Sequence, residues 1–177
     1  ETMYPEVPEE VVLPTAAIEP KLEDAFRSSH FRGVCLAVAR LFDLVKPSVA
    51  IFGEKDYQQF LVVKQMVQNE QDRWGTLQII GAPIVRDDDG LAMSSRNIFL
   101  SPDDRSKALA IHKALREPSE QKMFELLDQH GLNVEYAVIR DASTLLEIVE
   151  GNPTRALIAA KIGNVRLIDN GSTGCVS

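Results

Sequence analysis

Two short segments bring together residue types suited to holding a nucleotide and its phosphates. Phe52-Gly53-Glu54-Lys55-Asp56-Tyr57-Gln58-Gln59 closes an apolar run, and Asp89-Gly90-Leu91-Ala92-Met93-Ser94-Ser95-Arg96-Asn97 follows an acidic turn. In the first, Gly53 lets a ribose or phosphate approach the backbone, Lys55 offers a cation to phosphate oxygens, and Asp56 can accept from ribose hydroxyls. Gln59, one turn on, can donate to a carboxylate or hydroxyl in the same crevice. In the second, the hydroxyls of Ser94 and Ser95, nearby N–H groups and the Arg96 guanidinium suit a triphosphate that becomes pyrophosphate. Together the two segments point to adenylate chemistry.

Each segment also has a plainer reading. Glu54 to Asp56 can be a solvated helix start with Asp56 as its cap, and Met93 to Asn97 a Ser-rich turn after an Asp-Gly hairpin. Asp87 to Asp89 reads as an acidic turn in preference to a metal site. His30-Phe31-Arg32-Gly33 is a third anion candidate, weak when taken singly, whereas His112 and His130 read as solvated helix residues. Zn-ligand spacing is absent from the chain, as are the G-x-S-x-G, Walker A and G-x-G-x-x-G patterns.

The elements that must position these residues follow from periodicity. The first 30 residues read as an extended segment with an edge strand at Val11-Val12-Leu13. Val34, Val38, Leu41, Phe42 and Val45 mark one face of a helix over 31–45 that Pro47 ends. Val49 to Phe52 predicts a strand buried on both faces of a parallel sheet, followed by a helix from Tyr57 toward Asn69, a loop at Trp74-Gly75 and a strand over Thr76 to Ile80. The character changes at Gly81, giving two expected domains, 1–82 and 83–177. In the second, Ser101-Pro102-Asp103-Asp104 opens a helix with cap, first-position proline and first-turn acids in order. A helix over Glu120 to Gln129, a strand through Val134, Tyr136 and Val138, a short helix over Ala142 to Val149, and a hairpin turning at Gly163-Asn164 complete the reading.

Composition bounds the function. The chain has 177 residues, 45% hydrophobic and 25% charged, with a formal charge of -7. That balance argues against nucleic acid or an anionic membrane as the main partner. Cys35 lies in an apolar helical pattern and Cys175 in the tail, which suits a reducing cytoplasm better than a disulfide framework. Neither thiol has a catalytic setting. An 18-residue apolar stretch and a signal-peptide pattern are both lacking, so a cytoplasmic protein is expected.

The order His30-Phe31-Arg32-Gly33-Val34, then Phe52 to Gln59, then Asp89 to Asn97, closely resembles the pantoate-beta-alanine ligase (pantothenate synthetase) family, and the resemblance continues through Ile139-Arg140-Asp141 and Arg166-Leu167-Ile168-Asp169-Asn170. It implies an α/β chain: a partial Rossmann-like nucleotidyltransferase domain followed by a small α/β domain with an antiparallel sheet. The family's reaction joins pantoate to ATP, with Mg, to give pantoyl adenylate and pyrophosphate; beta-alanine then releases pantothenate and AMP. By resemblance, Met93, Ser94, Ser95 and Arg96 form the phosphate loop that corresponds to the KMSKS loop of class I aminoacyl-tRNA synthetases. Gly53 and Asp56 would contact the ribose, Lys55 the phosphates, the Val85 backbone the adenine, and Gln59 the pantoate. Lys55, Ser94, Ser95 and Arg96 carry the catalytic roles, and a homodimer is implied.

The chain also departs from the family pattern. The family's P-T-M-G-x-L-H-x-G-H segment, whose histidines contact ATP, has no counterpart among the three His present. The expectation is a C-terminal part of a family member, inactive alone, with Leu115 to Glu120 in place of a longer helical connection. Other adenylate-forming enzymes and a non-catalytic module remain alternatives at this point.

Overall fold

The computed structural model describes residues 12–175, and the side chains of residues 12–173. They fall into two compact units that divide between Ala82 and Pro83. Val11 and the Cys175 side chain lie outside what is described. Val12 and Leu13 are not in a strand; instead of an edge strand, the early segment carries a 3-10 turn at Thr15–Ala17 and helix α1, Glu23–Phe26.

In the first unit, helix α2 spans His30–Val45 and ends on Lys46, whose left-handed backbone (φ 49°) precedes Pro47. Its buried face differs from the expected one. Phe31, Cys35, Ala39 and Phe42 are buried, while Leu41 and Val45 are exposed. The apolar stripe is wider than the contact, and the ring of Phe42 decides which part of it is covered. That ring meets Trp74 and Phe52 edge-on, at centroid distances of 5.8 and 6.4 Å.

Strand β1, Val49–Gly53, pairs in parallel with β2, Gln78–Ala82, with Ile51 opposite Ile80. A 3-10 turn, Glu54–Asp56, leads into helix α3, Tyr57–Asn69, so the unit contains the expected strand-helix-strand crossover. Phe60, Val62, Val63, Met66 and Val67 of α3 are buried. Trp74-Gly75 is not a plain loop, because Gln71–Trp74 forms a single helical turn, α4. Arg73 and the Trp74 Nε1–H both bond to Asp43, which ties that turn to α2. β1 departs from expectation in burial: its residues alternate, and Ile51 is 67% exposed. Of the two sheet faces, only the one bearing Ala50, Phe52 and Ile79 is covered by described residues.

The second unit is an antiparallel sheet, β3 (Asn133–Asp141), β4 (Pro153–Ile162) and β5 (Val165–Cys175), with β4 in the centre. Helices α5, Pro102–Ala114, and α6, Glu120–Gln129, supply the rest of its core. Ala108, Ile111, Met123 and Leu127 pack in one cluster with Ala156, Ile158, Ala160 and Leu167. Ser101 caps α5 by accepting from the Asp104 N–H at 3.1 Å, as its sequence requires.

The helix expected over Ala142 to Val149 does not form. Asp141, 1% exposed, accepts from the Ser143 and Thr144 N–H groups, both their hydroxyls, and Asn152 Nδ2. A carboxylate offering that many bonds draws the backbone into turns, and Leu145 adopts a left-handed φ of 62°. Among the described residues, no helix is long and apolar enough to cross a membrane.

Candidate nucleotide-binding residues

Gly53 ends β1, where the backbone of a parallel strand presents its carboxyl end. Its φ of -69° and ψ of 128° suit any residue, and a Cβ added there would meet nothing within 4 Å. Nothing in the described fold requires a glycine at this position, whereas a closely approaching ligand would. At Gly81, by contrast, an added Cβ would lie 2.7 Å from Glu54 Oε1, so the Glu54 side chain would have to move aside.

Lys55 and Asp56 follow in the 3-10 turn, with Lys55 Nζ 3.8 Å from Asp56 Oδ1. Asp56 stands at the N-cap position of α3 but its side chain accepts no capping bond, so the plain capping role is not realised. Gln59 is half-buried on the first turn of α3. Its neighbour Gln58 is buried at 3% exposure and serves the fold: Nε2 donates to the Ala16 carbonyl (2.8 Å) and Asp24 Oδ1 (2.9 Å), and Oε1 accepts from the Glu23 N–H (2.9 Å). His30 and Arg32 sit on the first turn of α2. Cys35 is fully buried, and burial pushes its thiol up to about 11.

In the second unit, residues 85–93 form a hairpin stem. The Met93 N–H donates to the Val85 carbonyl and the Asp87 N–H to the Leu91 carbonyl, both at 2.9 Å, and Arg86 bridges Ala92. Val85 is 65% exposed, and a second lone pair remains on its carbonyl. Gly90, at φ 93°, turns the tip of the stem.

Ser94 accepts from the Arg96 N–H at 3.3 Å and caps the 3-10 helix Ser95–Phe99, which leaves its own O–H to donate. Met93, Ser94 and Ser95 line a cavity of about 570 Å3 with Asp87, Asn97, Ile98 and Arg105. That is within the size range of small-ligand sites, roughly 300 to 1,000 Å3. Asn97 Nδ2 donates to the Ala92 carbonyl, while its Oδ1 is buried without a hydrogen-bond partner. Ser95 and Arg96 are exposed; Arg96 does not line the cavity.

Two arginines that shape this region, Arg86 and Arg105, carried no signal in the sequence. Arg105 from α5 reaches Asp87 and Asp89, and Arg86 reaches Asp169 on β5. The Leu91 N–H, and then Arg105, hold the Asp89 carboxyl below its usual range. His112 is not a solvated helix residue. It is half-buried beneath Gly90, with Nδ1 buried and unbonded and Nε2 2.9 Å from Arg116, and burial together with Arg86 and Arg116 lowers its pKa. His130 Nδ1 is 2.8 Å from the Leu126 carbonyl, an ordinary helix-end contact.

The family model for pantoate-beta-alanine ligase matches residues 1–172. A pantothenate synthetase of Xylella fastidiosa is 45% identical over 186 aligned residues, covering 96% of this chain and 65% of that protein. Pantothenate synthetase from Thermus thermophilus superposes with a TM-score of 0.82 at 37% identity, covering 97% of this chain and 66% of the other. The pantoate-beta-alanine ligase of Francisella tularensis, solved with beta-gamma ATP and beta-alanine, gives a TM-score of 0.71 at 31% identity over 93% of this chain and 57% of that one. This chain thus spans slightly under two thirds of the curated relatives it matches. With the parallel crossover and the antiparallel sheet already described, these matches establish that the chain belongs to the pantoate-beta-alanine ligase family.

Proposed function

We propose that this chain supplies nucleotide-binding and phosphate-binding residues of an ATP-dependent ligase that condenses pantoate with beta-alanine. Gly53 admits the ribose, Asp56 accepts from its hydroxyls, and the Val85 backbone reads the adenine. Lys55 takes phosphate oxygens, Gln59 orients pantoate, and Met93, Ser94, Ser95 and Arg96 hold the phosphates that leave. The observation that supports this most directly is Gly53, a glycine at the end of a parallel strand whose backbone angles and surroundings would accept a side chain.

The chemistry asks for positioning and charge stabilisation, with no protein nucleophile. A pantoate carboxylate oxygen attacks the α-phosphorus, the bond to the bridging oxygen breaks, and pyrophosphate leaves. The beta-alanine amine then attacks the acyl carbon, loses a proton, and AMP departs. Alignment alone can supply about 7 to 11 kcal/mol of the barrier. Lys55, Ser94 and Ser95 offer the donors that a crowded phosphorus and a departing pyrophosphate require.

Mg would neutralise phosphate charge. Among the described residues no three His, Cys, Asp or Glu side chains gather to cage it, and the donors fit an ion that travels with the triphosphate, since Mg keeps most of its waters. The proposal extends to a homodimeric, cytoplasmic enzyme. This chain alone, with no H-x-G-H pair in its sequence, is expected not to turn over.

The test is pantoate-dependent AMP formation by the full-length protein, with and without beta-alanine, beside its Lys55→Ala variant. Lys55→Ala should slow single-turnover adenylate formation by roughly 10² to 10³ and leave pantoate affinity nearly unchanged. Unchanged single-turnover adenylation would remove Lys55 from the mechanism, and AMP release indifferent to beta-alanine would remove the ligase assignment.

A further inference from the structure

The loop Met93 to Arg96 is carried by the two-stranded stem 85–93, and such a stem is at best marginal in water without an anchor. One of its anchors, beside the Arg105 contacts to Asp87 and Asp89, is a fork. Arg86 Nη1 donates to Asp169 Oδ2 at 2.6 Å and Nη2 to Asp169 Oδ1 at 3.0 Å, while Nη1 also reaches the Gly90 carbonyl at 3.1 Å. One guanidinium therefore binds the stem, the tip of its turn and the sheet. Asp169 belongs to the sheet interior: it is 4% exposed, pairs across β4 with the fully buried Ile158, and accepts from the Asn170 N–H at 2.8 Å.

We infer that Arg86 and Asp169 are positioning residues for the phosphate loop, fixing Met93 to Arg96 on the second unit's sheet. The inference rests on the reading of that loop given above. Neither residue lines the loop cavity, so both act through the backbone that leads into it.

Stability alone is a poor reason for this pair. A buried ion pair is often no better for folding than apolar groups of equal volume, and the sheet already has its apolar cluster. A planar two-point bond adds direction, because it sets the angle at which the stem leaves the sheet. Direction matters for a loop that must meet phosphate oxygens, where a misplacement of about 1 Å is costly.

The test uses the full-length protein with Arg86→Lys, which keeps the charge and loses the fork, and Asp169→Asn, which keeps the shape and loses the charge. Both should raise KM for ATP by about tenfold and slow adenylation, with KM for pantoate within twofold of the parent. A purely structural role predicts a different split: lower Tm and fewer active molecules, with KM for ATP unchanged, and that result overturns the inference. If Asp169→Asn does not fold, Arg86→Lys carries the same split, since Arg86 is partly exposed and a cation is retained. A parent protein that makes no AMP from ATP, pantoate and beta-alanine together would overturn the underlying reading and this inference with it. An active parent with insensitive variants would overturn this inference alone.

Discussion

Arg105 grips Asp89 at two points, Nε to Oδ2 at 2.8 Å and Nη2 to Oδ1 at 3.0 Å, and the same Nη2 reaches Asp87 Oδ2 at 2.8 Å. Helix α5 thereby latches both sides of the acidic turn, and the three carboxylate contacts raise the Arg105 pKa, Asp87 contributing first. The turn is a latch for the loop stem, and Asp87 and Arg105 also form part of the cavity wall.

Arg105→Gln should leave global stability nearly intact, because solvent screens such exposed ion pairs and they contribute little to folding. The local effect should be larger. The Leu91 N–H, bonded to Asp89 Oδ1 at 3.1 Å, should exchange with solvent several-fold faster. Exchange at Leu91 equal to that of the parent would show that the turn holds without α5.

Gly53→Ala should fold as the parent does, with a stability change within about 0.5 kcal/mol, since the added Cβ meets nothing and the backbone angles are ordinary. Its KM for ATP should rise about tenfold or more. Normal ATP kinetics in a folded Gly53→Ala protein would remove the contact assigned to this glycine.

Gln58 and Gln59 are adjacent and should behave oppositely. Gln58→Ala strands the Glu23 N–H and the Ala16 carbonyl in a buried site and should cost about 2 to 4 kcal/mol, read as a lower urea midpoint. Gln59→Ala should scarcely move that midpoint and should raise KM for pantoate. Equal stability losses in the two variants would contradict this division of labour.

Acid should weaken the second unit through Asp141. Its hydrogen bonds, those from Ser143 foremost, hold the carboxyl well below the usual carboxylate range. The folded state thus binds this proton less readily than the unfolded state. The resulting stability is fully present above the unfolded pKa of about 4 and is lost as pH falls toward the folded value. Thermal unfolding between pH 5 and pH 2.5 should show a steep decline in the parent and a shallower one in Asp141→Asn. Parallel declines would assign the acid sensitivity to other carboxylates, such as Glu135 between Lys161 and Arg166.

What was legible in the residues was local. Ser101, Pro102, Asp103 and Asp104 begin a helix because cap, proline and first-turn acids act within one turn. The crossover from Val49 to Ala82 and the hairpin at Gly163-Asn164 follow from periodicity and turn chemistry. The types of the candidate nucleotide ligands, Gly53, Lys55, Asp56, Ser94, Ser95 and Arg96, were likewise open to reading, because each type answers a chemical need.

Tertiary structure decided which surfaces and partners those elements would use. The apolar stripe of α2 was visible, but only packing of Phe42 against Phe52 and Trp74 selected its buried part. Ala142 to Val149 has helical propensity of its own, and Asp141 overrides it with side-chain bonds that periodicity does not register. Gln58 bonds across 34 to 42 residues and Arg86 across 83. Spacing in sequence holds no record of such contacts, since they exist only after the sheet and helices have folded and brought donor and acceptor within 3 Å of each other.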